Sequence, residues 1–434
     1  MNNLVRDDEA SSSSSIHGDI LESILSRVPL IDLVQASRVS SSWNCAVAAS
    51  LCHQNSPKPW LTLNPKFPPR TNSIISHSYD PRSNIWNRIE TPHTIATHSS
   101  ALRSDGSNLL YSISPSGLTF SSDPLHLTWH QSTGPKVWRV DPIVSLVGTR
   151  LVVAGGGCEF EDDPLSVEVY DVPTRSWSDA GSIPIGLKES GSSTWLSTAT
   201  DGRRLFVTEK ESGLMHVFDP ETKIWSPPYY LPRDPTVFSS IITFTGDKLF
   251  LIGLIGERGN MEKLKIWSLN LESLEIEEEI GEMPKEMMEE IRRDGFQAYS
   301  LSVSSAENWV FIYNSSQIKG VYICEVVSSG GGGGKGCRWM RENNIATAGK
   351  DNRMVVTSSK VGIHDIGKAL DLMAGNRKEN EAFSYFKEDP YLCNVVLAIM
   401  VLSWLCKVVF CDNRVIMPEG VSIGTFSHYM PLYF

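Results

Sequence analysis

The chain has 434 residues, 41% of them hydrophobic and 21% charged, which suits one large domain with a sizeable core plus a small one. Its formal net charge of −11 repels phosphate and argues against nucleic acid as the main partner. Eight cysteines form no C-x-x-C pair and have no histidine at zinc-like spacing, so a zinc site is not expected and a reducing compartment, cytosol or nucleus, is.

In chain order, residues 1–16 read as a disordered leader, acidic and then serine-rich, without the apolar stretch of a secretory signal. Residues 17–53 hold three short helical runs. In the first, Ile20, Leu21, Ile24, Leu25 and Val28 recur at helical spacing; Asp19 and Glu22 mark its start, and Pro29 stops it. The second carries Leu33, Val34 and Ala36, and the third begins near Ser40 and places Trp43 and Val47 four apart. So few residues cannot enclose all this apolar surface, so part of it is expected to await a partner. The plain alternative is an N-terminal helical cap on a larger domain.

The run Leu25-Ser26-Arg27-Val28-Pro29-Leu30 and the later Ser41-Ser42-Trp43-Asn44 resemble an F-box, the module that docks a protein onto the Skp adaptor of a cullin-based ubiquitin ligase. The residues that match, and that the resemblance assigns to adaptor binding, are Ile20, Leu21, Ile24, Leu25, Pro29, Leu30, Leu33, Val39 and Trp43.

Residues 54–70 are proline-rich (Pro57, Pro59, Pro65, Pro68, Pro69) and read as a semi-rigid linker. Over 71–370 the pattern becomes short β-runs separated by turn residues, such as Leu151 to Ala154, Leu205 to Thr208 and Lys248 to Ile252. An aromatic-Asp turn followed by Trp repeats: Tyr79-Asp80-Pro81 before Trp86, Tyr170-Asp171 before Trp177, and Phe218-Asp219-Pro220 before Trp225. A weaker copy is Asp123-Pro124 before Trp129. The tryptophans recur 43 to 48 residues apart, a period that in strand-rich sequence means propeller blades. The aromatic is expected to end a third strand, the Asp to make the turn, and the Trp to open the fourth strand and pack between blades.

With Gly155-Gly156-Gly157 ahead of Tyr170 and Trp177, this set resembles the kelch repeat. The full pattern occurs once; near Leu251 the glycines shrink to Gly253 and Gly256, and later blades are marked only by Trp267 and by Ile323 to Trp339. The expected fold is mainly β, a kelch-type propeller of five to six blades behind a three-helix F-box module. A WD-type propeller would need Gly-His and Trp-Asp pairs at blade ends, and none stands in register.

Glu275 to Arg293 is acid-dense and reads as an inserted loop with a short helix after Pro284. Gly330 to Gly334 imitates a phosphate loop, but Gly336 stands where Ser or Thr must bind the metal, so it reads as a flexible connection. Residues 371–434 form an atypical tail. Its apolar segment 391–411 is long enough to cross a bilayer; a tail anchor, a buried element and a non-native extension are the three readings.

No G-x-S-x-G or H-E-x-x-H motif occurs, and the ten histidines are scattered, so no catalysis and no cofactor or metal is expected. The kelch fold also serves copper radical oxidases, but Cys158 has no recognisable ligand set around it.

From His17 to about Ala369 the chain resembles plant F-box/kelch-repeat proteins, most closely the branch that directs chalcone synthase to degradation. The likeness rests on Ile16 to Ile24, Leu127 to His130, Val137 to Val144, Ser192 to Ser197 and Val207 to Lys210. It implies a non-catalytic adaptor that binds a Skp-type protein, and cullin through it. It also implies delivery of a flavonoid or phenylpropanoid enzyme such as chalcone synthase to the proteasome. A propeller scaffold or regulator without a ligase is the alternative, and a membrane-anchored adaptor is a third.

Overall fold

The computed structural model describes residues 18–52, 58–68, 73–92, 101–157, 163–187, 194–231, 235–295, 297, 300–327, 336–343 and 353–376. The leader 1–16, the glycine run 330–334 and the apolar segment 391–411 lie outside them.

Three helices come first: α1 (Asp19–Leu25), α2 (Leu30–Ser37) and α3 (Ser41–Cys52). Gly18, at φ 68°, precedes α1 and offers no side chain to cap it. Asp19, which marks the helix start as expected, therefore acts through its charge in the first turn and not as a side-chain cap. Ser40 does cap α3, its Oγ accepting the Trp43 N–H at 3.2 Å.

Among the described residues the strands form six antiparallel sheets. Blade I contains β1 (Trp60–Pro65), β2 (Ser73–Asp80) and β3 (Ile85–Pro92). Blade II is β4 (Arg103–Ser104), β5 (Leu110–Ser114), β6 (Gly117–Ser121) and β7 (His130–Ser132). Blade III is β8 (Ile143–Val147), β9 (Arg150–Ala154), β10 (Val167–Asp171) and β11 (Ser176–Ala180). Blade IV is β12 (Leu196–Thr200), β13 (Leu205–Glu209), β14 (Leu214–Asp219) and β15 (Ile224–Trp225), with β16 (Tyr229–Tyr230) also on β14. Blade V is β17 (Val237–Thr245), β18 (Lys248–Glu257), β19 (Asn260–Leu269) and β20 (Ile276–Glu282), followed by α4 (Lys285–Arg293). Blade VI is β21 (Leu301–Ala306), β22 (Trp309–Asn314), β23 (Gly320–Val327) and β24 (Gly336–Asn343). β25 (Met354–Ser359) then returns to blade I as its inner strand, pairing with β1 from Trp60↔Ser359 to Pro65↔Met354. The last strand thus joins the first blade and closes a six-bladed β-propeller. α5 (Ile363–Asn376) ends the described chain.

The aromatic-Asp-Trp repeat works as the sequence suggests in three blades. Tyr79 pairs with Trp86, Tyr170 with Trp177 and Phe218 with Trp225 across their third and fourth strands. The ring centroids lie 5.3, 5.2 and 4.8 Å apart, within the range of favourable aromatic pairs. The Trp177 Nε1–H donates to Thr133 O of the preceding connection, tying blade III to blade II. The Asp side chains fold the turns by accepting amide N–H groups two or three residues on: Arg82 for Asp80, Thr174 for Asp171, Glu221 for Asp219. In the weaker copy the fourth-strand position belongs to His130, stacked on Phe120 at 5.1 Å; Trp129 stands one residue early. Trp267 sits in a third strand, over Gly253, where a Cβ would meet its ring at 2.6 Å.

Several boundaries differ from the expectation. The linker 54–70 contains β1, because Leu61 and Leu63 are apolar at alternate positions and bury in the core of blades I and VI. The ring therefore begins at Trp60 rather than residue 71, and its last strand ends at Ser359 rather than near 370. The stretch 275–293 is the fourth strand of blade V and then α4, so the acidic run is an exposed blade edge and not an inserted loop. Residues 363–376, partly assigned to the tail, are helical.

Candidate docking module and channel mouth

The three N-terminal helices share one core with α5 and the ring. Leu21, Leu25, Leu30, Leu33, Val34, Ala36, Ala46 and Val47 pack with Trp60, Leu125, Val361, Ile366 and Ala369. The apolar surface expected to await a partner is therefore covered in part by the chain itself, because α5 brings its own apolar stripe to α2. Of the nine residues assigned to adaptor binding, Leu21, Leu25, Pro29, Leu30 and Leu33 are buried, and Ile24, Val39 and Trp43 are half-buried. Ile20 is 67% exposed. Ile20 and Ile24 lie four apart on α1, and α3, the helix that carries Trp43, packs against α1.

The joint to the ring is polar and specific. Arg82, in the turn between β2 and β3, donates from Nη2 to Leu25 O (2.8 Å) and from Nε to Ser26 O (3.1 Å), at the carbonyl end of α1. Asp80 Oδ2 lies 3.4 Å from the Leu30 N–H, at the amide end of α2. A cation thus meets a helix C-terminus and an anion a helix N-terminus, the favourable sense of the helix dipole for both. Sequence reasoning gave Asp80 its turn role and missed this second one; Arg82 carried no signal.

Strand direction fixes what faces the module. In each four-stranded antiparallel blade the inner-to-second and third-to-fourth turns share one end of the ring. The second-to-third turns and the connections between blades share the other. The module sits on the first end, at the Asp80–Arg82 turn, Leu125, and Val361 beyond β25. The opposite end opens into the central channel, a cavity of about 390 Å³ lined by residues of all six blades. Its mouth gathers Lys66 after β1, Arg103 at the start of β4, Asp141 before β8, Thr194 before β12 and Lys210 after β13. Arg103 Nη1 donates to Asp141 Oδ1 at 2.6 Å, and Lys210 Nζ donates to Thr194 O at 2.8 Å. Burial lowers the Lys210 pKa to about 8, with Asp141 opposing. Burial also lowers that of Lys66, helped by the neighbouring positive charges of Arg103 and Arg353.

A buried pair holds this mouth in place. Arg139, fully buried, donates from Nη2 to Glu168 Oε1 at 2.9 Å and to Ser166 Oγ at 2.9 Å, and from Nη1 to Gly155 O at 2.7 Å. Val140 N–H donates to Gly156 O. Gly156, at φ +67°, passes so close that a Cβ there would lie 2.6 Å from the Asp141–Pro142 peptide, so only glycine permits the approach that sets Asp141. Among the described residues no group of three metal-ligating side chains occurs, and no helix is long and apolar enough to cross a membrane.

Fold and site together define a helical docking module fixed to one end of a six-bladed β-propeller. The family model of the F-box domain matches residues 14–54. An F-box/kelch-repeat protein of Arabidopsis thaliana is 37% identical over 371 residues, covering 82% of this chain and 93% of its own length. The chain belongs to the F-box/kelch-repeat family. Similar solved structures include a candidate 6-phosphogluconolactonase of Bacteroides uniformis, at 11% identity over 67% of this chain and 84% of its own, with a TM-score of 0.37. The WD40 domain of Toxoplasma gondii coronin is 11% identical over 62% of this chain and 72% of its own, with a TM-score of 0.34.

Proposed function

We propose that this protein is the substrate-recognition subunit of a Skp–cullin–F-box ubiquitin ligase, working in the cytoplasm or nucleus. Its helical module docks a Skp-type adaptor, and cullin through it, while the far end of the ring holds a protein target. The chain supplies proximity rather than a nucleophile, raising the target's concentration near the ubiquitin-carrying enzyme. The observation that carries the reading is the F-box match at the module, together with the exposed Ile20. Within the expected adaptor set, Ile20, Ile24, Val39 and Trp43 make the contact; Leu21, Leu25, Pro29, Leu30 and Leu33 support it from inside. The target is an enzyme of flavonoid or phenylpropanoid metabolism, chalcone synthase by the resemblance of the longer sequence runs.

An Ile20→Ala, Trp43→Ala pair should cost docking about 2–4 kcal/mol and abolish co-purification with a plant Skp-type adaptor, with the ring's unfolding unchanged. Undiminished co-purification would count against the docking face. If chalcone synthase turnover does not respond to raising or removing this protein, the target fails and the ligase reading stands. The α5 cover over the module favours one second reading, a propeller scaffold whose helices are a structural cap; such a protein would not enrich adaptor or cullin at all.

A further inference from the structure

The channel mouth collects hydrogen-bond donors that the protein does not use. Among the described residues the Lys66 ammonium has no hydrogen-bond partner, and Lys210 donates only to the backbone oxygen of Thr194. Deeper in the same cavity, Tyr111 and Tyr313 are 3% and 7% exposed. Neither hydroxyl has a hydrogen-bond partner among the described residues. Both rings line the cavity, where their hydroxyls add donor capacity to the cations at its mouth. The two carboxylates nearby are engaged. Asp141 is held by Arg103 at 2.6 Å, and Asp105 accepts from Ser107 N (2.9 Å), Ser107 Oγ (2.6 Å) and Ser145 Oγ (3.1 Å).

We propose that the Lys66–Arg103–Lys210 mouth of the central channel is a binding site for a compact anion bearing carboxylate or phosphate groups, with the Tyr111 and Tyr313 hydroxyls as further donors. The overall charge of −11 does not oppose this, because screening confines the distant surface carboxylates while the three cations converge on one low-dielectric recess. A cavity of about 390 Å³ falls in the size range of small-ligand pockets. Arg103 is engaged with Asp141 Oδ1 (2.6 Å) and Val140 O (2.9 Å) and contributes charge, while the two lysines supply point charges that suit a ligand with more than one charged oxygen group. The ligand is either a free small anion or the acidic side chains of a bound protein. The site goes beyond the ligase reading, and stands or falls independently of adaptor docking.

The test is calorimetric titration of the full chain at low ionic strength with three probes: pyrophosphate, citrate and a hexaglutamate peptide. Pyrophosphate or citrate should bind one per chain. Lys66→Ala with Lys210→Ala should weaken that binding about tenfold or more, since each charge-assisted bond lost is worth at least that. Tyr111→Phe with Tyr313→Phe, which keeps the packing, should weaken it several-fold, and Lys263→Ala on the outer surface should change nothing. Binding of hexaglutamate alone, with the same variant sensitivity, supports the site and assigns the anion to a protein partner. Failure of all three probes, or equal binding by both mouth variants and the parent, overturns the proposal. Retained adaptor co-purification keeps that result separate from any failure of the ligase reading.

Discussion

Glu168→Ala should be among the most damaging single changes in the ring. Its carboxylate, 3% exposed, is among the described residues the only acidic group bonded to Arg139, which is fully buried. It also accepts the backbone N–H of Lys136 at 2.7 Å and of Val137 at 3.3 Å. Removing it leaves a guanidinium out of water with neutral acceptors alone, and an uncompensated buried charge costs about 3–5 kcal/mol. Arg139→Met should cost less, because Glu168 keeps its two amide donors. The paired change Arg139→Met with Glu168→Leu should cost less than the sum of the single changes by about 1–3 kcal/mol. Urea unfolding followed by tryptophan fluorescence and by circular dichroism gives these values where the two curves coincide. A Glu168→Ala cost under about 1 kcal/mol, or additivity of the two sites within about 0.5 kcal/mol, would refute the argument.

The acid limb of stability should carry a contribution from His126. Its ring is 3% exposed, Nε2 lies 2.9 Å from Thr357 Oγ1 on the closing strand, and burial lowers its pKa to about 4 against the opposing charge of Asp123. The folded state then binds fewer protons than the unfolded one between pH 4 and the ordinary histidine value near 6.5. Stability from this group is complete above about 6.5 and is lost as pH falls toward 4, by on the order of 3 kcal/mol. Urea midpoints at descending pH should fall less steeply for His126→Gln than for the parent; parallel slopes would exclude the histidine. At the joint, Arg82→Ala removes two charge-assisted bonds to the end of α1. Hydrogen exchange should quicken on the order of tenfold in α1 and α2 while the inner strands stay protected; unchanged exchange in α1 would show that the apolar contacts suffice.

Local regularities were legible from sequence, and long-range closures were not. The repeat Tyr79/Trp86, Tyr170/Trp177, Phe218/Trp225 is a short-range pattern, so it located three blades and their turns. Closure by β25 and the return of α5 to the module join residues some 300 positions apart, for which no local pattern exists. β1 hid among prolines because Pro65 and its neighbours suggested a linker more strongly than Leu61 and Leu63 suggested a strand. At the helical module the sequence marked an apolar set without telling its buried members from its exposed one: helical periodicity marks an apolar face but not which helix will cover it. The channel mouth was legible only as likeness. The runs Val137 to Val144, Ser192 to Ser197 and Val207 to Lys210 resembled a family with no evident reason. Their described residues Asp141, Thr194 and Lys210 line one opening.

The turn between β2 and β3 works as a mortise as well as a hairpin. Its length is therefore constrained from two sides, by the blade it reverses and by the helix ends it seats. One residue added between Asp80 and Arg82 would draw these groups away from the ends of α1 and α2 that they hold. In chimaeras that exchange propellers between proteins of this kind, the first blade should travel with its own helices rather than with the ring it completes.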